Sequence, residues 1–288
     1  MSAAPAAVAT HGEAEIKINR LWLFAAGAAV VVNGMFPALW VLLTSLKTEG
    51  ELTRVPISYL PQDPTFQNYL TAFAAQPLAR FFFNSVVVAG LSTVLTLLVS
   101  AFAAYAIARL RIRWKNVILS AIVAVSMFPL ISLMVPLFQT MRALGLLNTY
   151  LALILPYVVL NLPVCILILV SFFSAIPRDL ENAAMIDGCT RLGALFRVVL
   201  PLTAPGVFTA GIISFVNAWD EFLLALSFTS SMQMRTLPVG ITLYQGEFAF
   251  PWPIISAALI VAIVPIAVVI VIFQERVVSG LTAGGVKG

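Results

Sequence analysis

Charged side chains are scarce in this chain. They make up 10% of its 288 residues, whereas 61% of the residues are hydrophobic; a soluble domain carries about 25% charged residues. Histidine occurs once and cysteine twice, as Cys165 and Cys189, which is too few for a disulfide framework or a metal site. These shortages exclude an ordinary soluble domain and favour a membrane protein that holds no metal.

Catalytic motifs are also missing. The chain contains no G-x-x-x-x-G-K-[ST] loop, which would cradle the phosphates of ATP. No long apolar run contains a histidine or a Gly-x-Ser-x-Gly elbow. The sequence therefore predicts no catalytic residues, no cofactor bound by this chain and no ATPase activity of its own.

Six apolar runs are present, at residues 21–43, 81–107, 117–138, 150–173, 207–228 and 252–273. Each can cross a bilayer core of about 30 Å as a helix that rises about 1.5 Å per residue. The runs are too long for barrel strands, which need about 9–11 residues. The sequence thus predicts an all-α membrane protein with six transmembrane helices in one domain, residues 20–288. Residues 1–19 form a polar, alanine-rich leader.

Lysine and arginine are distributed unevenly between the loops. Eleven of the 16 lie in the N-terminus, the second and fourth loops and the C-terminal tail, and five lie in the other three loops. Positive charge near the spans is retained in the cytoplasm. Both termini, the fourth loop at residues 174–206 and the tail at residues 274–288 are therefore predicted to be cytoplasmic. This topology explains the net charge of +4 without nucleic-acid binding.

The fourth loop predicts a helix-turn-helix. Pro177 suits the first turn of a helix and Gly188 suits its end, while Thr190 can cap a second short helix. Ala183 and Ala184 leave the first helix with a shallow face that a partner protein can contact. An interfacial helix resting on lipid is the alternative, but the acidic residues in the first helix disfavour it.

Acidic residues inside an apolar run occur only in the fifth, as Asp220 and Glu221, next to Asn217 and Trp219. A charge at mid-membrane costs on the order of 2.5–3.5 kcal/mol, so such residues usually face a bundle interior or a wet cavity. No lysine or arginine lies within a run to pair with them. These four residues are the candidates for a translocation pathway. Four prolines in the third and fourth runs suggest bent helices lining it: Pro129, Pro136, Pro156 and Pro163.

The fourth loop resembles a motif of the permease subunits of bacterial ABC importers: Glu-Ala-Ala, three residues, Gly, nine residues, Ile-x-Leu-Pro. Val198 takes the Ile position, and Asn182 stands where the motif has Glu, with Glu181 just before it. The remaining motif positions are in register, at Ala183, Ala184, Gly188, Leu200 and Pro201.

Two further stretches are similar to the carbohydrate branch of these permeases. They are Trp219-Asp-Glu-Phe222 and the tail at residues 280–288, which resembles the maltose-importer subunit without a large external domain. The resemblance implies a type I ABC importer permease fold in the bacterial inner membrane and a carbohydrate substrate such as maltose, maltodextrin, trehalose or a related glycoside.

The resemblance also implies partners and residue roles. The partners are a second permease subunit in a heterodimer, two ATP-binding cassette subunits that use ATP and magnesium, and an extracytoplasmic sugar-binding protein. The implied ATPase-coupling residues are Glu181, Asn182, Ala183, Ala184, Asp187, Gly188, Leu200 and Pro201. The implied tail contacts with the ATPase are Gly284, Gly285 and Lys287.

An ion-coupled secondary transporter remains the alternative function. Asp220 and Glu221 would then be the ligands of a proton or a sodium ion. Such transporters often contain internal repeats, and the two halves of this sequence show no convincing repeat.

Overall fold

The computed structural model describes residues 20–246 and 250–285. Within these ranges the regular secondary structure is helical, which confirms the all-α prediction. The elements are α1 (Arg20–Ser45), α2 (Glu49–Leu52), α3 (Gln67–Ala75), α4 (Leu78–Arg109), α5 (Lys115–Ser126), α6 (Leu130–Ala143), α7 (Tyr150–Ala175), α8 (Arg178–Ile186), α9 (Arg191–Ala194), a π-helical turn (Leu195–Val199), α10 (Leu200–Leu202), α11 (Ala204–Asp220), α12 (Leu223–Phe228), α13 (Leu237–Thr242) and α14 (Trp252–Gly285).

Four helices of the described ranges, α1, α4, α7 and α14, are each long and apolar enough to cross a membrane. Two further helix pairs pass the same test together but are bent, so the number of spans reaches six if each bent pair is one span. The bends explain why some apolar runs of the sequence do not form single straight helices.

The run at residues 117–138 differs from a single helix. It is divided between α5 and α6, which meet at an angle of 92°. The break coincides with Pro129, which precedes α6 in an extended conformation. A proline disfavours helical geometry in the residue before it, so Phe128 cannot readily continue α5.

The run at residues 207–228 is also interrupted. Helix α11 ends at Asp220, Glu221 is extended, and α12 begins at Leu223. The Glu221 carboxylate accepts hydrogen bonds from the backbone N–H groups of Leu224 at 2.8 Å and Ala225 at 3.1 Å. It thus satisfies amides at the start of α12 that have no partner within that helix.

The core lies along α4 and α7, which pack against each other, and α11 packs against both. One buried cluster joins these helices to α12, α13 and α14, and includes Phe81, Tyr157 and Trp219. A second cluster joins their other ends to the π-helical turn and includes Leu195 and Val199. The two clusters lie towards opposite ends of the α4–α7 pair.

Helices α1 and α5 lie outside this core. Helix α1 packs against α14, and its apolar span from Trp22 to Ser45 has an 18-residue window in which no residue is buried. No residue of α5 is buried within the chain. In a membrane these faces are available to lipid or to another subunit.

Asn148 connects two loops that are distant in sequence. It has a left-handed backbone, with φ at 63°, and donates its backbone N–H to the Phe228 carbonyl at 2.8 Å. Its side-chain oxygen accepts from the N–H groups of Ser230 at 3.1 Å and Ser231 at 2.9 Å. The turn after α6 is thereby attached to the segment after α12.

Candidate coupling surface and polar cavity

Helix α8 has well-defined ends. Pro177 precedes it, and it finishes in a Schellman motif, the paired hydrogen bonds that close many helix ends. The N–H of Gly188 donates to the Met185 carbonyl at 3.1 Å, and the N–H of Cys189 donates to the Ala184 carbonyl at 2.9 Å. Gly188 has φ at +90°, which glycine adopts without the steric cost of a side chain.

One face of α8 is open to solvent in the isolated chain. Ala183, Asp187 and Gly188 are exposed, and the Ile186 side chain is 85% exposed. Small residues beside an exposed apolar side chain form a shallow surface suited to a partner's groove. We call residues 179–188 the coupling surface.

Glu181 lies on the buried side of α8. The Tyr105 hydroxyl donates a hydrogen bond to its Oε1, and Arg109 Nε lies 3.3 Å from its Oε2. The side chains of Arg109 and Glu181 are 3% and 10% exposed. Arg109 Nη1 also donates to the Ile176 carbonyl at 3.0 Å. Glu181 is therefore paired inside the chain, and α4 and α8 are joined by a buried ion pair.

The second helix of the loop is capped as predicted. Thr190 Oγ1 accepts a hydrogen bond from the Gly193 N–H at 3.1 Å. The helical path then continues through the π-helical turn, and Leu200 and Pro201 lie in α10. The segment Arg191–Leu202 meets α11 at 82°. Single π-helical turns occur frequently at functional sites.

A polar cavity of about 180 Å³ lies where α7 approaches the end of α11. Asn217 Nδ2 donates to Asn161 Oδ1 at 3.0 Å, and Asn161 Nδ2 donates to the Tyr157 carbonyl at 2.8 Å. The lining residues are Leu130, Tyr157, Leu160, Asn161, Asn217 and Glu221. Four polar side chains thus line a space between spanning helices whose remaining wall is apolar.

Glu221 also contributes to this cavity. The Tyr157 hydroxyl donates to Glu221 Oε2 at 2.6 Å, in addition to the two α12 amides described above. The carboxylate is therefore held by three hydrogen bonds, and no positively charged side chain of the described residues pairs with it. Hydrogen bonds to the charged form stabilise a carboxylate away from water.

The other two predicted pathway residues lie elsewhere. Trp219 is 2% exposed and packs against the rings of Phe82 and Phe215 at centroid distances of 5.8 and 5.6 Å. Asp220 is exposed and makes no hydrogen bond or ion pair with another described residue. The structure therefore brings together Asn217 and Glu221 but not Trp219 or Asp220.

Sequence reasoning missed three residues of these sites. Tyr105, Tyr157 and Asn161 are polar members of apolar helices, and Asn161 carried the clearest signal because it is an amide within a membrane run. The partners of both tyrosines lie more than 60 positions away in the chain.

The comparison with protein families is decisive. Residues 96–282 match the family described as "Binding-protein-dependent transport system inner membrane component". The chain belongs to this family. The family consists of inner-membrane components, and the chain contains several long apolar helices. Both findings identify the chain as a multi-pass membrane permease subunit.

Two relatives from this permease family are similar over nearly their whole length. The sulfoquinovosyl glycerol transport system permease protein SmoH of Agrobacterium fabrum is 70% identical over 92% of this chain and 93% of its own. The trehalose/maltose transport system permease protein MalG of Thermococcus litoralis is 36% identical over 94% of this chain and 98% of its own.

A solved transporter shares the permease fold. A chain of a bacterial ABC transporter involved in the import of the acidic polysaccharide alginate aligns with a TM-score of 0.77 and 20% identity, over 89% of this chain and 96% of its own. A chain of the alginate transporter in complex with a pentasaccharide-bound periplasmic protein aligns with a TM-score of 0.63 and 15% identity, over 90% of this chain and 96% of its own. The importer permease fold is confirmed.

The predicted tail contacts are only partly within the described ranges. Gly284 and Gly285 form the end of α14, and Lys287 lies outside the described residues.

Proposed function

We propose that this chain is the permease subunit of an ATP-driven importer for a carbohydrate of the glycoside class, and that it forms half of the translocation pathway. A second permease subunit would supply the other half, two ATP-binding cassette subunits would supply the energy, and an extracytoplasmic binding protein would deliver the sugar. Family membership supports this scheme and argues against an ion-coupled secondary transporter.

The observation that carries the sugar assignment is the polar cavity. It presents a phenol, two carboxamides and a carboxylate within the membrane spans. These groups can form hydrogen bonds with the hydroxyl groups of a sugar, because a hydroxyl acts both as a donor and as an acceptor. A path lined in this way replaces the water that a sugar loses when it enters the membrane. Asn217 and Glu221, with Tyr157 and Asn161, are the proposed pathway contacts.

The relatives suggest which sugars to test first. Sulfoquinovosyl glycerol is named for the relative that is 70% identical, and trehalose and maltose are named for the one that is 36% identical. We therefore rank sulfoquinovosyl glycerol above trehalose and maltose as a substrate of this permease.

Coupling to the ATPases is assigned to the coupling surface. The exposed residues Ala183, Asp187 and Gly188 would enter a groove of an ATPase that binds ATP and magnesium. Asn182 and Ala184 belong to the same surface, and Leu200 and Pro201 lie on the path from it into α11. The tail at Gly284, Gly285 and Lys287 would contact the ATPase pair.

Glu181 has a different role in this mechanism. Because it is buried against Tyr105 and Arg109, it transmits movement of α8 to α4 rather than pairing with an ATPase side chain. Both termini and the coupling surface lie in the cytoplasm in this proposal.

Uptake by cells lacking their own copy of this gene tests the proposal. Cells complemented with the complete transport system should accumulate radiolabelled sulfoquinovosyl glycerol until ATP is depleted, and an ionophore alone should leave uptake intact. Accumulation that stops with the ionophore while ATP persists would contradict ATP coupling. Uptake of none of the three sugars would contradict the carbohydrate assignment.

A cavity variant tests the pathway. Asn217→Ala should raise the KM for sugar uptake, because the substrate loses a hydrogen-bonding group. Asn116→Ala, which alters an exposed amide at the start of α5, is the matched control. Identical kinetics in the two variants would remove Asn217 from the pathway.

A further inference from the structure

A pocket of about 390 Å³ lies on the side of α8 opposite the exposed Ala183. It is formed by the end of α4 together with α8 and the start of α9, and its charged lining is Arg109, Arg111, Arg178, Arg191 and Glu181. We propose that this basic pocket binds the phosphate group of an anionic phospholipid.

The charge balance of the basic pocket favours an anion. Four guanidinium groups face one carboxylate, and that carboxylate already accepts a hydrogen bond from Tyr105 and pairs with Arg109. Asn182, which also lines the pocket, adds no negative charge. Like charges held close together repel one another, so an anion in the pocket relieves this repulsion.

Arg109 supplies the floor of the pocket. The residue is 8% exposed, and its Nη2 is buried without a hydrogen-bond partner in the described part of the chain. A buried charged donor that lacks an acceptor is costly. The Arg109 guanidinium therefore adds positive charge at the floor of the pocket that the described hydrogen bonds only partly compensate.

The mouth of the pocket carries the other three arginines. Arg111, Arg178 and Arg191 are exposed, and none of them forms an ion pair or a hydrogen bond with another described residue. Guanidinium groups bind phosphate through two parallel N–H donors. The floor and the mouth together can therefore surround one phosphate group.

The position of the pocket favours a lipid over a partner protein. Arg109 is the last residue of α4, a helix long enough to cross the membrane, so the pocket lies near the depth of the headgroups. Ala183 follows Glu181 by two residues, which turns it about 200° around α8. The exposed face that carries Ala183 and Asp187 thus points away from the pocket, whereas Asn182 of the coupling surface lines it.

Lipid titration of the purified full-length chain, co-expressed with its partner subunits, tests this site. The melting temperature is measured in neutral detergent as phosphatidylglycerol, phosphatidylcholine or inorganic phosphate is added, and native mass spectrometry counts the retained lipid. The pocket variant is Arg178→Gln with Arg191→Gln. The control is Arg113→Gln with Arg197→Gln, which removes the same charge from exposed positions outside the pocket.

Phosphatidylglycerol should raise the melting temperature of the unmodified protein and of the control, and phosphatidylcholine should not. The pocket variant should bind phosphatidylglycerol at least about tenfold more weakly and retain less of it. Equal affinities of the two variants would overturn the proposal.

Two other results would also overturn it. Inorganic phosphate that protects the protein as well as phosphatidylglycerol would identify a site for a small free anion. Loss of the ATPase subunits from the pocket variant but not from the control would assign the pocket to an acidic side chain of the partner.

Discussion

Glu181 is buried and Glu221 is half-buried, and each accepts a hydrogen bond from a tyrosine hydroxyl, yet the two carboxylates are neutralised differently. Glu181 pairs with Arg109 at the end of α4. Glu221 instead accepts from Tyr157 and from two backbone amides at the start of α12. The first carboxylate is balanced by a full positive charge, and the second by dipoles alone.

The difference agrees with the depth in the membrane that the sequence predicts for each residue. An arginine at a span end remains close to water and headgroups, whereas a charged residue at mid-membrane is costly. At the Glu221 site the chain is interrupted, and the interruption itself provides free amides. A break in a helix can thus stabilise a carboxylate where a countercharge would be expensive, and the described residues that line the neighbouring cavity include no lysine or arginine.

The largest effect is expected from breaking the ion pair. Arg109→Met leaves Glu181 buried without its countercharge and should lower the free energy of unfolding by about 3–5 kcal/mol. Thermal or denaturant unfolding of the purified protein measures this loss. Arg113→Met, at an exposed position, should change little. Adding Glu181→Gln to Arg109→Met should restore part of the stability, and no restoration would contradict the pairing.

A smaller effect is expected at the break. Glu221→Ala removes the acceptor of Tyr157 and of two amides and should cost about 1–3 kcal/mol. Glu221→Gln keeps an acceptor oxygen and should cost less. Asp220→Asn, an adjacent exposed acid without a described partner, is the control for the unfolding measurement. Equal losses in the Asp220 and Glu221 variants would refute the capping role.

The end of α8 at Gly188 provides a test of the coupling surface that contains Glu181. A Cβ there would meet no described atom of this chain within 4 Å, so the stability of Gly188→Val in the isolated chain reports backbone conformation alone. Forcing a side chain into the left-handed region should cost about 1–2 kcal/mol, and sugar uptake should fall with it. Gly188→Asn, which tolerates this conformation better, should retain more uptake. Full uptake by Gly188→Val would oppose the coupling assignment.

The smallest effect is expected at Asn182. Asn182→Glu adds an exposed carboxylate near the arginines of the basic pocket and should change the unfolding free energy by less than about 1 kcal/mol. The same variant should weaken phosphatidylglycerol binding, because its carboxylate competes for the guanidinium groups. A large loss of stability would show that Asn182 has a structural role, which its exposure does not suggest.

The features predictable from sequence depend on neighbouring residues. The helix end at Gly188 involves residues within four positions, and the cap at Thr190 involves Gly193. Both depend on local backbone chemistry that sequence spacing reveals. The all-α fold is equally local in origin, because run length alone separates a spanning helix from a barrel strand.

The remaining features depend on contacts between distant residues. Tyr105 meets Glu181 across 76 positions, and Tyr157 meets Glu221 across 64. In the sequence, Arg109 indicated only which end of the helix is cytoplasmic, because a positive charge at the end of any membrane helix gives that information. The break at Glu221 was hidden because the residues after it are as apolar as those before it.

The contacts of Asn148 have a consequence for the order of assembly during synthesis. Its carboxamide oxygen can accept hydrogen bonds from Ser230 and Ser231 only after these residues have been synthesised, and they follow Asn148 by 82 and 83 positions. At a translation rate of about 5–20 residues per second, that interval lasts roughly 4–16 s. The turn after α6 can form its hydrogen bonds only when the segment after α12 has been synthesised. The contact between these two loops is therefore formed late during translation.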